Sequence, residues 1–365
     1  MKRVLMFVLM AAAAAISAEQ AVDWQIGPFE RPSDAAPVIA PKKDSLFPDP
    51  MSGKPVHWEA LHTFNPAAVV RNGKVYVLYR AEDDSGEMRI GLHTSRLGLA
   101  ESEDGIHFTR RKEPVFYPDN DSQKEREWPG GCEDPRIVES EDGTYVLTYT
   151  QWNRRKTDAA IATSRDLIHW TKHGPALGAQ GKYAELSYKS AGIVTRVQGG
   201  RLIAARIGGK YWMYWGEVVV RLASSEDLIH WKPVEDARGE PLVVLAKRAG
   251  HFDSSFPETG PPPVLTAKGI VVLYNGKNAS VGRDPALGPN AYAAGEALFA
   301  ADDPAKLIAR TDAPVFQPEL PFEKTGQYAA GTTFAEGLVW FRNQWLLYYG
   351  CADSMVGVAR APATH

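Results

Sequence analysis

The chain has 365 residues, with 41 Lys and Arg against 44 Asp and Glu and a formal net charge of -3. Charges of both signs are interspersed, so the sequence indicates no polyanion-binding surface, and a nucleic-acid partner is not expected. The length suits one large all-β domain or two ordinary domains and does not choose between them.

The N-terminus predicts a secretory signal peptide. Two basic residues precede a short apolar run over residues 4–16, and small residues follow it. We expect cleavage near Ala18, so that residues 1–18 are removed and residues 19–365 form a single catalytic domain. The apolar run is too short to favour a membrane span, and no cysteine nearby indicates a lipid anchor. We therefore expect a secreted or periplasmic protein without a membrane anchor.

A repeated segment of the form Ser-x-Asp-x-Ile-His-aromatic divides the chain into units. Its aspartates are Asp104, Asp166 and Asp227, a weaker copy surrounds Asp303, and the last unit at residues 338–359 lacks one. We interpret the segment as a tight turn with a packed aromatic residue. The histidines are expected to be structural, because no pair has metal-ligand spacing; they are His107, His169 and His230.

Short strands alternate with these turns. The first strand of each unit is predicted at residues 75–79, 145–149, 211–215, 270–274 and 345–349, and a second strand at residues 90–95, 159–164 and 221–225. Helical periodicity over a dozen residues is missing outside the signal region. Five all-β units in succession predict a five-bladed β-propeller. A strand from residues 22–59 is expected beside the last blade.

Each unit contains one cluster in which acidic residues lie next to Gly or Pro. In a propeller, such clusters would lie at the mouth of the central channel. A glycoside-cleaving pocket needs one acid to protonate the leaving oxygen and another to direct water. Turns also collect Asp and Gly for backbone reasons, so a purely structural role stays open for each cluster. The clusters are residues 64–67 with 79–84, residues 130–136 with 151–154, Lys189 with residues 214–217, residues 258–263 with Tyr274, and residues 349–353.

These motifs resemble glycoside hydrolase family 130, the mannoside phosphorylases and mannosidases. The resemblance covers nearly the whole mature chain, and its most specific part is Gly-Cys-Glu-Asp-Pro-Arg at residues 131–136. It implies a five-bladed propeller in which Asp134 is the general acid, although Asp134 could instead bond only a sugar hydroxyl. Glu133 beside it would disfavour ionisation of Asp134 if both face one pocket.

The family divides by whether phosphate or water attacks the anomeric carbon. By resemblance, Trp215 and Gly216 occupy the positions of a His-Arg pair in the phosphorylases, so two anion donors are lost. Glu217 and Glu258 resemble the two glutamates of the β-1,2-mannosidases and are candidates for activating water. Glu258 is slightly favoured as the base, and either glutamate could be a sugar ligand instead.

Some remnants of a phosphate site weigh against hydrolysis. Lys189, Asn153 and Arg154 match positions near the anion site of the phosphorylases, and Arg80 and Arg136 add positive charge. Each has an alternative role, because the two arginines could pair with carboxylates and stiffen the pocket. The candidate partners are Asp83, Asp84 and Glu133.

Sugar binding is expected to use polar partners for the hydroxyl groups and aromatic rings for the apolar ring faces. The polar candidates are Asn65, Arg80, Asp83, Glu133, Arg136, Asn153, Arg154, Lys189 and Asp353, with Asp84 as a replacement for Asp83, and the stacking candidates are Trp152, Trp215 and Tyr274.

The favoured function is an inverting, exo-acting hydrolase of β-mannosides, with β-1,2 linkages preferred. A mannoside phosphorylase that produces mannose 1-phosphate and a non-catalytic glycan-binding propeller are the alternatives. The expected partner is a mannoside oligosaccharide, and neither a metal ion nor an organic cofactor is expected. Two cysteines, Cys132 and Cys351, could form a disulfide or stay as buried thiols.

Overall fold

The structure, a computed structural model, describes residues 23–362, and within that range the fold is all-β. Two short helical segments interrupt the strands there, α1 (Lys124–Glu127) and a 3-10 turn (Pro321–Glu323). The signal peptide predicted at residues 1–18 lies outside the described residues. None of the helices described in residues 23–362 has the length and apolar character needed to cross a membrane.

The strands fall into five successive antiparallel groups, preceded by a small hairpin of β1 (Phe47–Pro48) and β2 (Pro55–Val56). The first group contains β3 (His62–Arg71), β4 (Lys74–Glu82), β5 (Ser95–Ser102) and β6 (Thr109–Arg110). The second contains β7 (Gly131–Glu139), β8 (Tyr145–Trp152), β9 (Thr157–Ser164) and β10 (Thr171–Pro175).

The third group has more short strands than the others. One sheet in it contains β11 (Ala191–Ile193), β14 (Arg206–Ile207), β15 (Lys210–Trp215), β16 (Val220–Ser225), β17 (Trp231–Pro233) and β18 (Val243–Leu245). The hairpin of β12 (Thr195–Gln198) and β13 (Arg201–Ala204) is separate from that sheet. The fourth group contains β19 (Phe256–Thr259), β20 (Val264–Thr266), β21 (Gly269–Lys277), β22 (Tyr292–Phe299) and β23 (Leu307–Arg310). The fifth contains β24 (Thr333–Phe341), β25 (Gln344–Cys351) and β26 (Met355–Pro362). The hairpin strands β12 and β13 pair in parallel with β20 of the fourth group and β7 of the second, respectively.

Each predicted first strand of a unit lies within an observed strand, and these are β4, β8, β15, β21 and β25. One predicted second strand is wrong. Residues 90–94 form a loop, and β5 begins only at Ser95. Ile90 is 52% exposed, so its side chain has no sheet face to pack on. The strand instead ends at Ser102, the serine of the repeated turn, as β9 and β16 end at the equivalent serines.

The apolar core consists of five clusters, each of which joins two neighbouring groups. The alternating side chains of a strand supply two faces, and both faces of these sheets are covered. One cluster joins the first group to the last, because Val77 and Tyr79 of β4 pack with Val339 of β24 and Leu346 of β25. The first and last groups are therefore held in contact by the same kind of apolar packing that joins consecutive groups.

The N-terminal segment lies beside the last strand, as expected, but it pairs through two isolated bridges rather than a continuous strand. Glu30 bridges to Arg360, and Ile39 bridges to Val356. The proline-rich composition explains this, because a proline has no N–H to donate to a ladder. Both cysteines are buried free thiols, so the disulfide alternative is wrong.

The repeated segment forms the expected tight turn. In each of the three copies that contain a histidine, the Asp carboxylate accepts hydrogen bonds from two backbone N–H groups and contacts the histidine ring, as Asp227 does with Ile229 and His230. The three histidines are solvent-exposed, whereas the aromatic residue that follows is packed in the last copy, where Trp231 is 3% exposed. The turns therefore have a structural role.

We expect Asp227→Ala to lower the free energy of unfolding by about 1 kcal/mol, because two backbone donors lose their acceptor. The matched control is Glu226→Ala on the same exposed turn, which should change it by less than about 0.5 kcal/mol. Urea denaturation measures both. Equal stabilities of the two variants would contradict the structural role of the turn.

Candidate active site

A cavity of about 220 Å³ receives side chains from all five groups. Its polar lining contains five carboxylates, two cationic side chains and two amides. The aromatic lining comes mainly from the fourth and fifth groups and the loop between them. The lining residues are Phe64, Asn65, Arg80, Glu82, Ile90, Gly91, Glu133, Asp134, Lys189, Glu258, Tyr292, Gln327, Tyr328, Thr332, Phe334 and Asp353.

Two β-bulges aim polar side chains into this cavity. The pairing of β3 with β4 shifts at Asn65, and the pairing of β7 with β8 shifts at Asp134. Both residues have positive φ, 43° and 48°, and both precede a proline that cannot donate to the ladder. A bulge re-aims a side chain out of the regular alternation. The Asn-Pro and Asp-Pro sequences therefore account locally for how these two side chains reach the cavity.

Asp134 is held by three groups. Its Oδ1 accepts hydrogen bonds from Asn65 Nδ2 at 2.8 Å and from Arg80 Nη1 at 2.9 Å. Its backbone carbonyl accepts one from Arg136 Nη1 at 3.1 Å. The side chain is 3% exposed and is thus fixed in one orientation.

Arg80 links the acidic groups of the first two strand groups. Its Nη2 donates to Glu82 Oε1 at 2.7 Å and to Glu133 Oε1 at 2.9 Å. Arg80 and Glu82 are two residues apart on β4, so they share one face of the strand. One guanidinium therefore contacts three carboxylates, Glu82, Glu133 and Asp134.

Arg136 does not line the cavity. Its Nε and Nη2 donate to the carbonyls of Gly260 and Thr259, both at 2.8 Å, and its Nη1 lies 2.8 Å from Glu336 Oε1. The alternative pairing of Arg136 with Glu133, Asp83 or Asp84 is wrong. Arg136 instead ties the Asp134 bulge to the strand end that carries Glu258.

The ammonium group of Lys189 lies between the two candidate bases. Its Nζ is 3.6 Å from Glu217 Oε1 and 3.6 Å from Glu258 Oε1. Glu258 is 1% exposed and accepts a hydrogen bond from Ser190 Oγ at 2.5 Å, whereas the side chain of Glu217 is 35% exposed. Glu258 lines the same cavity as Asp134, whereas Glu217 is not among the residues that line it.

The carboxylates divide by proton affinity. Burial, together with the charges of Asp134 and Glu82, raises the pKa of Glu133 to about 7 despite Arg80. Burial and the Glu217 charge likewise raise the pKa of Glu258 to about 7 against Lys189. Burial acts on Asp134 too, but Arg80, Lys189 and the Asn65 amide hold its pKa below the ordinary value. In the free site, therefore, Glu133 binds a proton more readily than Asp134 does.

Asp353, which lies between β25 and β26 of the last group, also lines the cavity. Burial and the charges of Asp134 and Glu82 raise its pKa to about 7 against Arg80. Gln327 Nε2 donates to the Asp353 carbonyl at 2.8 Å and to Glu82 Oε2 at 3.1 Å. The amide of Gln327 thus joins the last group to the first at the cavity wall.

Two predicted carboxylates do not reach the cavity. Asp83 is fully buried and pairs with Arg96, and Asp84 is exposed on the loop that follows β4. Successive residues at a strand end point to opposite faces, so Glu82 takes the inward position. The prediction of Asp83 or Asp84 as sugar ligands is wrong, and Glu82 was overlooked within the same acidic run.

Two residues predicted near an anion site, Asn153 and Arg154, do not line the cavity. Asn153 Nδ2 donates to the Glu125 carbonyl at 3.0 Å, and Arg154 Nη2 donates to the Leu92 carbonyl at 2.6 Å. Trp152 Nε1 donates to the Gly91 carbonyl at 2.8 Å, so its ring supports the wall from behind. Lys189 is the member of this predicted set that lines the cavity.

The predicted stacking residues are part of the core. Trp215 and Tyr274 are fully buried, Trp215 against Tyr188 and Tyr274 against Phe252. Neither ring face is open to a sugar, so these predictions are wrong. The aromatic lining comes instead from Tyr292, Tyr328, Phe334 and Phe64, and Arg80 lies 4.6 Å from the centre of the Phe64 ring.

The lining residues that sequence reasoning missed come mostly from loops with no motif. Gln327, Tyr328 and Thr332 lie in the connection between the fourth and fifth groups, and Ile90 and Gly91 lie in the loop before β5. Tyr292 begins β22 and contacts both Tyr328 and Phe334. Of these missed residues, only Glu82 could have been identified from the sequence, because it lies two residues after Arg80 and shares its strand face.

Comparison with known proteins identifies related chains. The family model of glycoside hydrolase family 130, described as "beta-1,4-mannooligosaccharide phosphorylase", matches residues 40–365. A protein of Thermoanaerobacter sp. (strain X514) named "1,2-beta-oligomannan phosphorylase" is 32% identical over 327 residues, which cover 88% of this chain and 94% of that protein.

Solved structures are similar over nearly the whole chain. One, described as "The GH130 family of mannoside phosphorylases contains glycoside hydrolases that target beta-1,2 mannosidic linkages in Candida mannan", is 54% identical with a TM-score of 0.92, over 94% of this chain and 96% of that one. A glycosyl hydrolase from Bacteroides ovatus has the same identity, TM-score and coverage.

Proposed function

Because this chain belongs to glycoside hydrolase family 130, we propose that it is an inverting, exo-acting hydrolase of β-mannosides, with β-1,2 linkages as its preferred class. The chain is an enzyme that acts on mannosides. The proposal adds that water is the nucleophile and that β-1,2 linkages are preferred. A solved relative whose description names hydrolysis of β-1,2 mannosidic linkages, at 54% identity, supports both.

The observation that carries the proposal is the pairing of Lys189 with two glutamates. Its ammonium group lies 3.6 Å from both Glu217 and Glu258, so its charge is already compensated. A phosphate dianion would have to bind beside these carboxylates, and like charges at such distances repel. Asn153 and Arg154 are bonded to loop carbonyls. The site therefore suits an uncharged nucleophile.

Water is activated by Glu258 in this proposal. Glu258 takes a proton from the water, the water oxygen bonds to the anomeric carbon, and the bond from that carbon to the leaving oxygen breaks. Asp134 donates a proton to the leaving oxygen, and Glu133 beside it supplies the stored proton, because the two carboxyls share Arg80 and titrate as a pair. The product is α-mannose.

A phosphorylase is the second candidate. Its support is the Thermoanaerobacter relative, whose name is that of a phosphorylase, together with the two cations on the cavity wall, Arg80 and Lys189. Such an enzyme would need phosphate for turnover and would release mannose 1-phosphate.

The deciding experiment incubates β-1,2-mannobiose with the enzyme, with and without phosphate, and follows the first turnovers by proton NMR. We expect α-mannose at equal rates in both samples. Turnover that requires phosphate, or a β-configured first product, would overturn the proposal. A β-1,4-mannobiose sample tests the linkage, and we expect slower release from it.

The pH dependence of kcat/KM should be a narrow bell with its maximum near pH 7. Glu258 must lose its proton to act as base, so activity rises as the pH passes its pKa of about 7. The Glu133 and Asp134 pair must keep one proton, so activity falls as the pH passes the raised pKa of Glu133. In Glu133→Gln the falling limb should move to lower pH. Asp84→Asn is the control, and a wild-type maximum below about pH 5 would contradict this assignment.

We also infer that the five groups form one five-bladed propeller domain, because each apolar cluster joins neighbouring groups and one joins the last to the first. Calorimetry should show a single unfolding transition for residues 19–365. We propose further that the protein is exported as a secreted or periplasmic enzyme after cleavage near Ala18, which N-terminal sequencing of the exported protein would test.

A further inference from the structure

Three side chains with metal-binding atoms meet at the edge of the cavity. They are His62, Glu82 and His93, and their ligand atoms all lie within 4.8 Å of one another. His62 and Glu82 are directly opposite across the β3–β4 ladder, and His93 lies in the loop before β5. We propose that these three residues bind a divalent transition-metal ion of the zinc class.

The donor set fits this class of ion. Imidazole nitrogen and carboxylate oxygen are ligands that Zn²⁺ accepts, and two histidines with one glutamate leave a fourth position for water. With metal–nitrogen distances of about 2.0–2.1 Å, tetrahedral ligand atoms lie about 3.4 Å apart. The side chains would therefore close by up to about 1.4 Å on binding.

An unpartnered nitrogen provides independent support. His93 is 4% exposed, and no group among the described residues hydrogen-bonds to its buried Nδ1. A buried polar atom without a partner is destabilising, and native proteins rarely keep one without a reason. A bound metal ion would supply the missing partner for this imidazole.

The hydroxyl of Ser354 orients the second imidazole. Ser354 Oγ donates its one hydrogen to the Ala352 carbonyl at 3.1 Å and accepts from the Gln327 backbone N–H at 2.9 Å. In this arrangement the contact of 3.1 Å between Ser354 Oγ and His62 Nδ1 has Nδ1–H as the donor, an assignment of the tautomer from the hydrogen-bond network. The lone pair of His62 is then on Nε2, and a metal-binding histidine commonly has such an outer partner on its other nitrogen.

The surrounding charge favours a cation despite Arg80. Arg80 bonds to Glu82 Oε1, whereas Glu82 Oε2 accepts only from the amide of Gln327 among the described residues. The five carboxyl groups of the cavity outnumber its two cations, Arg80 and Lys189. A metal ion would bind at Oε2 in place of the Gln327 amide and offset this excess of negative charge.

The sequence has no ligand spacing for this site, because the three residues lie on two strands and a loop. The proposal concerns binding, and no step of the proposed hydrolysis passes through the metal. Failure of one proposal therefore leaves the other in place. An ion here would cross-link β3, β4 and the loop that carries Ile90 and Gly91 on the cavity wall.

The test uses the full mature chain without an affinity tag, freed of metal by a chelator and then dialysed. Calorimetric titration with Zn²⁺ should show one tight equivalent, and Co²⁺ should give a visible absorption band of nitrogen and oxygen ligation. His93→Ala and His62→Ala should each weaken Zn²⁺ binding by about 100-fold or more, because loss of an outer partner alone costs about 10–100-fold. Ser354→Ala should weaken it by about 10-fold.

The control replaces the three exposed histidines of the repeated turns, His107, His169 and His230, by alanine. This triple variant should keep the tight equivalent. The thermal midpoint of each metal-free variant shows whether it is folded. At one Zn²⁺ concentration, the midpoint should rise as much in the triple variant as in wild type, less in Ser354→Ala, and least in His62→Ala and His93→Ala. A wild type that binds no Zn²⁺, or a His93→Ala variant that binds it as tightly as wild type, would overturn the proposal.

Discussion

Asp134→Asn should lower kcat on β-1,2-mannobiose by about 10³-fold, within the range of about 10²–10⁴ for loss of a general acid. Asparagine keeps the shape and an oxygen acceptor for Arg80 Nη1, so the pocket stays assembled. It has no proton to give to the leaving oxygen. Steady-state kinetics with coupled mannose detection measures this loss.

A comparison of substrates with different leaving groups distinguishes a general acid from a residue that only binds the sugar. An aryl β-mannoside with an acidic phenol needs little protonation, so Asp134→Asn should lose much less activity on it than on mannobiose. Asp84→Asn is the control. Asp84 is exposed on the loop that follows β4, so this variant should match wild type on both substrates. If Asp134→Asn loses the same factor on both, Asp134 binds the sugar and is not the acid.

Glu258→Gln should also reduce hydrolysis by about 10²–10⁴-fold, because the attacking water loses its base. Glutamine can still accept the hydrogen bond from Ser190, so the substitution removes the charge with little change in packing. Azide needs no deprotonation and should restore turnover of an aryl β-mannoside. The product should be α-mannosyl azide, which NMR identifies.

Glu217→Gln is the matched control for this prediction. Its carboxylate also lies 3.6 Å from Lys189, but its side chain is 35% exposed and does not line the cavity. We expect a loss below about 10-fold, the scale of a changed neighbouring charge. A larger loss in Glu217→Gln than in Glu258→Gln, with azide rescue of the former, would transfer the role of base to Glu217.

The raised pKa belongs to Glu133 and not to Asp134, in contrast to the expectation from the sequence. Glu133 was expected to disfavour ionisation of Asp134, and the two carboxyls do lie together. Arg80 Nη1 and the Asn65 amide both donate to Asp134, however, so the raised pKa belongs to Glu133. The charges of Arg80 and Lys189, together with the Asn65 hydrogen bond, outweigh burial and lower the pKa of Asp134, and these contacts between distant residues cannot be read from the order of residues.

The amino-acid sequence by itself determined the all-β class, the five first strands and the turns between them. These depend on local rules, namely alternation along a strand and Asp capping of a turn, so neighbouring residues carry the whole signal. The acidic clusters beside Gly and Pro included Asn65 and Asp134 as candidates, and the family resemblance supplied the role of Asp134 as the acid.

Only the tertiary structure decided which candidates share the cavity. It selected Glu82 over Asp83 and Asp84, turned Asn153 and Arg154 towards loop carbonyls, and replaced Trp215 and Tyr274 by Tyr292 and Tyr328. The physical reason is that cavity walls are built from residues far apart in the chain. Which face of a strand points inward depends on how the five groups pack, and that packing is a property of the whole fold.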